Sequence, residues 1–301
     1  MSVGLFIVGL YLISIAHMHY RGSVRFPWSR QILTHTNYLS PYNLLMNGFS
    51  SLPNMPLLRA DKIEGLSLLK ENWQLMRDEA LALNEEGQIS RATGLNDAGF
   101  NSFFKTGWTR FYLKWYDDYL PSANDKCPQT VALLKQVPAV KAAMFAALPP
   151  GAWLTPHRDP FAGSLRYHLG LITPEHEDCF ILVDGNKHVW RNGEDVLFDE
   201  TFIHEAHNNT DQTRIILFAD VRRPMRNRLI DGLNRFISDN LMKASATQNT
   251  ESEKVGGLNR LFERVYSVRV LSRRIKKWNR SFYYALKYFL FFMAIYLLFL
   301  R

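Results

Sequence analysis

His157, Arg158 and Asp159 stand together, and His204 and then Arg214 follow further along the chain. On an extended strand, residues two apart face the same side, so His157 and Asp159 offer an imidazole and a carboxylate to one point while Arg158 faces away. With His204 they form the two-histidine, one-carboxylate set that holds non-haem Fe(II) on one face and leaves the opposite positions open. Zinc accepts the same ligand types, but the HExxH helix of a zinc protease is absent, because His204-Glu205-Ala206-His207 has the wrong spacing. In a chain with nine histidines an H-x-D is common by chance.

Arg214 raises the odds. It opens the apolar run TRIILFAD, where a buried guanidinium is costly unless paired. A dicarboxylate co-substrate would pair it through two parallel hydrogen bonds. Arg166 and His168 form a second same-face pair in the apolar stretch LRYHLGL. An internal salt bridge to Asp184, Asp199 or Asp220 is the competing explanation, and for either arginine alone it is the stronger one.

These residues need a scaffold. From Ala152 to Asp220 short apolar runs (LRYHLGLI, CFILV, HVW, DVLF, TRIILFAD) alternate with turn chemistry at Asp184-Gly185, Asn192-Gly193 and Asn208-Asn209. Strands at this spacing predict a closed or double-sheet antiparallel barrel with polar residues gathered at its mouth. Gly107–Tyr116 predicts a further strand and Pro128–Gln136 a short helix. Ala139–Leu148 reads equally as helix or strand. Asp61 and Glu64 have capping-box spacing, and Leu66, Leu69, Trp73, Met76, Ala80 and Leu83 recur at helical intervals after them.

In these motifs the chain resembles the aspartyl/asparaginyl β-hydroxylase family of 2-oxoglutarate oxygenases. The resemblance rests on His157, on LRYHLGL with Arg166 and His168, on WRNGEDVLFDETFIHEAHN with His204, and on Arg214 followed by ADVRRP. It covers roughly 107–224, and the HRDP sequence with its flanking apolar segments is most similar to the bacterial lipid A 2-hydroxylase branch. The resemblance implies a mainly β double-stranded β-helix (jelly-roll) barrel with helical flanks. It implies Fe(II) held by His157, Asp159 and His204, and 2-oxoglutarate held by Arg214 at its distal carboxylate and by Arg166 and His168 at its other end. The implied reaction consumes O2 and 2-oxoglutarate, releases succinate and CO2, and hydroxylates the substrate. The branch acting on proteins lacks the metal carboxylate that Asp159 offers here. Where that branch uses a serine toward 2-oxoglutarate, this chain has Ala146.

The ends of the chain bear on the substrate. Val3–Ala16 is almost wholly apolar and reads as an uncleaved membrane anchor over 1–20, somewhat short for a span. A cleaved signal peptide is the rival, without a basic start or a small-x-small cleavage site. Arg21, Arg25 and Arg30 follow, which predicts a cytoplasmic position for what comes after. Residues 21–100 read as an irregular and helical lead-in, 101–224 as the oxygenase domain, and 225–257 as a helix and polar linker. Residues 258–280 read as a basic amphipathic interfacial helix and 281–301 as a C-terminal transmembrane helix. Between Leu258 and Arg280 eight basic side chains, among them Arg273, Arg274, Lys276 and Lys277, face Glu263 alone. This stretch carries nearly all of the net charge of +8, so the charge is local, which argues for anionic lipid headgroups and against nucleic acid. Arg222 and Arg223 are expected to add phosphate contacts. Cys127 and Cys179 fit no metal or disulfide framework and suit a reducing compartment.

The sequence therefore predicts a hydroxylase of a lipid A acyl chain, acting at its 2-position on the cytoplasmic face of the inner membrane of a Gram-negative bacterium, with no protein partner inferred. Hydroxylation of Asp or Asn side chains, or a metal-binding jelly-roll module without turnover, are the alternatives.

Overall fold

The alternating apolar runs become strands because their side chains can be buried on a pleated surface only if each strand finds two neighbours. In the computed structural model, which describes residues 3–91, 97, 99–116 and 118–297, eleven strands form in chain order. They are β1 (Leu57–Leu58), β2 (Thr109–Trp115), β3 (Asp118–Tyr119), β4 (Val140–Leu148), β5 (Trp153–His157), β6 (Ser164–Ile172), β7 (Cys179–Val183), β8 (Asn186–Val189), β9 (Asp195–Phe198), β10 (His204–Asn208) and β11 (Arg214–Arg222). All pair antiparallel, in a seven-stranded sheet ordered β1-β9-β6-β11-β4-β2-β3 and a four-stranded sheet ordered β5-β10-β7-β8. From β4 to β11 the chain passes back and forth between the two sheets, apart from the β7–β8 hairpin. That alternation is the jelly-roll topology, and it settles Ala139–Leu148 as strand.

The β7–β8 turn shows how local chemistry fixes register. Asp184 and Gly185 both have positive φ, 51° and 82°, as a two-residue hairpin turn requires. The Asp184 carboxylate accepts from the backbone N–H groups of Ser23 and Val24, which ties the N-terminal segment to the small sheet.

β6 and β11 lie in the middle of the large sheet and are buried along almost their whole length. A strand buried on both faces needs a cover, and the helix Trp73–Glu85 packs on β6. Leu66, Leu69, Met76, Ala80 and Leu83 are buried as the periodicity predicts. The single helix expected there is broken at Asn72 into Leu66–Glu71 and Trp73–Glu85, and the first part starts from Gly65 in a left-handed conformation instead of from an Asp61 capping box. The expected polar linker is docked. The Asn249 side chain accepts from the Tyr112 N–H and donates to the Tyr112 carbonyl, both at 2.8 Å, completing β2 as a strand neighbour would.

The chain ends differ from expectation. Among the described residues no helix is long and apolar enough to cross a membrane, so the two expected membrane-spanning helices are without support there. The N-terminal helix, Val3–Tyr20, is engaged at its C-terminal half, where Ile15, Met18 and His19 are buried and Ser14 is hydrogen-bonded to Ser40. Leu5, Phe6, Leu12, Ile13 and Tyr20 are exposed along its other side. The C-terminal helix is Arg280–Ile295, and 298–301 lie outside the described residues. The basic stretch forms one helix, Gly257–Trp278, with Leu261, Val268 and Leu271 exposed.

Candidate active site

His157 ends β5 and His204 begins β10, and the two are direct partners across these antiparallel strands. Cross-strand partners approach within ~5.5 Å at Cα, and here the ring centroids are 4.2 Å apart. Asp159 lies two residues beyond β5, where its N–H donates to the Glu200 carbonyl at 2.9 Å. The loop so held brings its carboxylate back to the histidines, and ligand atoms of the three residues lie within 4.8 Å of one another.

The two imidazoles are set up alike. His157 Nδ1 lies 2.7 Å from the Thr155 carbonyl and His204 Nδ1 lies 3.0 Å from the Phe202 carbonyl. A carbonyl can only accept, so each Nδ1 carries the proton and each Nε2 keeps its lone pair. Burial, joined by the neighbouring His157, lowers the His204 pKa to about 3, so it is neutral near pH 7. Burial opposes ionisation of Asp159, but Arg166 and the two histidines outweigh it and bring its pKa down to about 2. One carboxylate and two imidazole Nε2 atoms are donors a divalent metal accepts.

Arg166 and Arg214 part company. Arg166 donates to Asp159 Oδ2 at 2.9 Å and to Asp220 Oδ1 at 2.8 Å, and it also pairs with Glu200. Where the resemblance has Arg166 hold 2-oxoglutarate, its Nε and NH2 are engaged by carboxylates here, and it restrains Asp159 Oδ2 while Oδ1 lies toward His157. One guanidinium cannot neutralise three carboxylates. Burial and the neighbouring carboxylates raise the pKa values of Glu200 and Asp220, so this cluster holds a proton.

Arg214 is 2% exposed, and among the described residues no carboxylate pairs with it. The three aspartates proposed as partners are committed elsewhere: Asp184 to the turn at residues 23–24, Asp199 to Arg21 and Arg223, and Asp220 to Arg166. Burial lowers the Arg214 pKa to about 10, which still leaves it charged near pH 7. Its guanidinium lies 4.8 Å from the Trp190 ring, and its Nε has no hydrogen-bond partner.

His168 sits nearby with both ring nitrogens unsatisfied, and so do Trp190 Nε1 and His188 Nε2. The ring contacts run on from His188 to Trp190, His168, Phe198 and His204. Buried polar groups are nearly always paired, so a row of orphans leading from Arg214 to a metal ligand marks where a polar, acidic ligand fits. Burial, with the charges of Arg166 and Arg214, holds His168 neutral. Trp190 and His188 were missed in the sequence. Their only signal is that each is a polar-tipped ring in the apolar run HVW. Ala146 is buried on β4 and supplies no hydroxyl.

The basic residues also separate. Arg273, Arg274, Lys276 and Lys277 are exposed on the Gly257–Trp278 helix, and Arg222 is partly exposed at the end of β11. Arg223 is corrected: it is 1% exposed, donates to the Ala162 carbonyl at 2.6 Å and pairs with Asp199 at 2.7 Å, so it cannot meet a headgroup.

A jelly-roll barrel that gathers two imidazoles and one carboxylate at one mouth, with a buried unpaired arginine behind them, defines the class of Fe(II)/2-oxoglutarate hydroxylases. Residues 70–224, about half of the chain, match the family model described as Aspartyl/Asparaginyl beta-hydroxylase, and the chain belongs to that family. It is 39% identical over 122 residues, 40% of its length, to an ornithine lipid ester-linked acyl 2-hydroxylase from Rhizobium tropici. Over 214 residues, 68% of its length, it is 28% identical to the human aspartyl/asparaginyl beta-hydroxylase. The matched stretches span 43% and 26% of those proteins' own lengths. Among solved structures, a prolyl-4-hydroxylase from Pseudomonas putida aligns with a TM-score of 0.37 at 18% identity, covering 51% of this chain and 88% of that one.

Proposed function

We propose that the protein is an Fe(II)- and 2-oxoglutarate-dependent hydroxylase of a lipid A acyl chain, acting at its 2-position on the cytoplasmic face of a Gram-negative inner membrane. The observation that carries the chemistry is the pairing of the His157–Asp159–His204 cluster with the unpaired, buried Arg214. The lipid substrate is supported by similarity to a protein named as an acyl 2-hydroxylase, and by the exposed apolar residues of the terminal helices beside a basic helix. Such surfaces lie in the headgroup and acyl boundary of a bilayer without crossing it.

The bound iron, with 2-oxoglutarate and O2, would supply the oxidising power for an unactivated C–H bond, giving succinate and CO2 as co-products. The chain's own part is positional. His157 and His204 each present Nε2, and Asp159 presents one oxygen while Arg166 restrains the other. Arg214, whose guanidinium lies over the Trp190 ring, would hold the distal carboxylate of the co-substrate through two N–H donors. His168, neutral and unsatisfied, is placed to hydrogen-bond the co-substrate between Arg214 and the metal. Phe103, 4.8 Å from His157, and Phe198, 5.5 Å from His204, shield the centre from water.

The test is incubation of the purified full chain with Fe(II), 2-oxoglutarate and lipid A, followed by mass spectrometry. The expected product carries one added oxygen next to an acyl carbonyl, in proportion to succinate. A second reading, hydroxylation of Asp or Asn side chains, is favoured by the identity with the human protein; succinate release with peptides and not with lipid would establish it. No succinate with either would leave a metal-binding module.

A further inference from the structure

Arg158 stands in sequence between two metal-ligand candidates. It is 4% exposed, its NH1 donates to the side-chain oxygen of Gln31, a neutral partner, and its Nε has no partner at all. Among the described residues no carboxylate forms an ion pair with it. Phe26 lies beneath the guanidinium at 5.6 Å, Arg21 repels it, and Asp184, which attracts it, is engaged by the N–H groups of Ser23 and Val24.

Arg158 lines a groove of about 650 Å³ that also reaches His157. Four more cations line it: Arg30, Lys276, Arg280 and Lys287. Among the described residues none of the groove's lining side chains is acidic. Arg30 donates to the Pro156 carbonyl at 2.8 Å, one residue from the metal ligand, so the positive wall begins at the metal centre. The lysines and Arg280 come from the basic and C-terminal helices, the elements that carry exposed apolar residues.

We propose that this groove binds a phosphate group on the headgroup of the lipid substrate, with Arg158 as its buried anchor and Arg30, Lys276, Arg280 and Lys287 as its rim. The inference rests on the lipid-hydroxylase reading above and deepens it. Charge complementarity identifies the occupant: five cations converging without a carboxylate are self-repulsive until an anion enters, and a phosphate accepts a bidentate arginine. Position gives the consequence. A headgroup held by Arg158 lies beside His157, so the first carbons of an ester-linked chain, and not its tail, reach the metal. Regiochemistry near the acyl carbonyl then follows from headgroup capture and needs no ruler for chain length.

The test uses the full chain and phosphatidylcholine vesicles doped with lipid A or with phosphatase-treated lipid A. In Arg158→Gln, KM for the phosphorylated lipid is expected to rise about tenfold or more, with KM for 2-oxoglutarate unchanged. Removing the phosphate is expected to weaken the wild type by a similar factor and the variant hardly at all. Arg158→Lys is expected to recover part of the loss. A structural role predicts otherwise: Arg158→Gln would lower Tm and weaken both lipids equally, and either result overturns the proposal. Lys276→Gln/Arg280→Gln/Lys287→Gln is expected to lose the phosphate dependence as well. Arg273→Gln/Arg274→Gln/Lys277→Gln, outside the groove, is expected to weaken vesicle association yet keep that dependence. If no lipid is hydroxylated at all, flotation with phosphatidic acid vesicles still reads the groove: equal binding by wild type and Arg158→Gln refutes it separately from the catalytic reading.

Discussion

Arg166 and Arg214 are both buried in the large sheet, on adjacent strands, and their surroundings are opposite. Around Arg166 three carboxylates converge; around Arg214, among the described residues, no carboxylate pairs, and the Trp190 ring, the Cys179 thiol and unsatisfied nitrogens stand in their place. The first environment is complete without a ligand and the second is not. Burial of a charged side chain therefore says little about its role until its counter-charge has been found.

That contrast orders the expected effects. The largest falls on the metal ligands. His157→Ala or His204→Ala is expected to cut 2-oxoglutarate turnover more than about a thousandfold, some 4 kcal/mol of transition-state stabilisation, with circular dichroism unchanged; substantial turnover in either would refute the cluster as a metal centre. Arg166→Met should destabilise the fold by about 3–5 kcal/mol in urea denaturation, because carboxylates are left buried without a counter-charge. Arg214→Met should leave stability equal or higher while raising KM for 2-oxoglutarate about a hundredfold, or about 2.7 kcal/mol. If Arg214→Met destabilises as much as Arg166→Met, the distinction between the two environments fails.

The acid cluster also predicts a pH dependence. A carboxyl whose folded pKa is raised keeps its proton in the native state when the unfolded chain has lost it, so stability falls as pH rises above the ordinary glutamate value of about 4.3. Glu200→Gln should flatten that decline in the chelator-treated protein. An identical slope in wild type and variant would place the proton elsewhere. Asp159 acts in the opposite sense: with its pKa at about 2, its contribution is present above about pH 4 and is lost as pH falls toward 2. The smallest effect belongs to Trp190→Phe, which removes one unsatisfied N–H and keeps the ring; a rise in KM for 2-oxoglutarate of about fivefold, near 1 kcal/mol, is expected.

Much of the barrel was legible because its signals are local. Short apolar runs between turn residues, the Asp184-Gly185 turn and the buried stripe Leu66 to Leu83 each depend on neighbours within a few residues. The metal cluster was legible for a similar reason, since His157 and Asp159 are two apart and His204 lies in the stretch WRNGEDVLFDETFIHEAHN that carries the family resemblance. The break at Asn72, the docking of Asn249 on Tyr112 and the engaged half of the N-terminal helix were not, because each depends on a partner far along the chain.

By itself, the sequence determined which residues are capable of the chemistry: two histidines, one aspartate and a set of arginines in apolar runs. Only the tertiary structure decided what each arginine does. Asp199 claims Arg223, three carboxylates claim Arg166, and Arg214 and Arg158 are left without one. The physical reason is that a guanidinium's role is set by the charge within a few ångströms of it, and in a jelly roll that charge comes from strands distant in sequence.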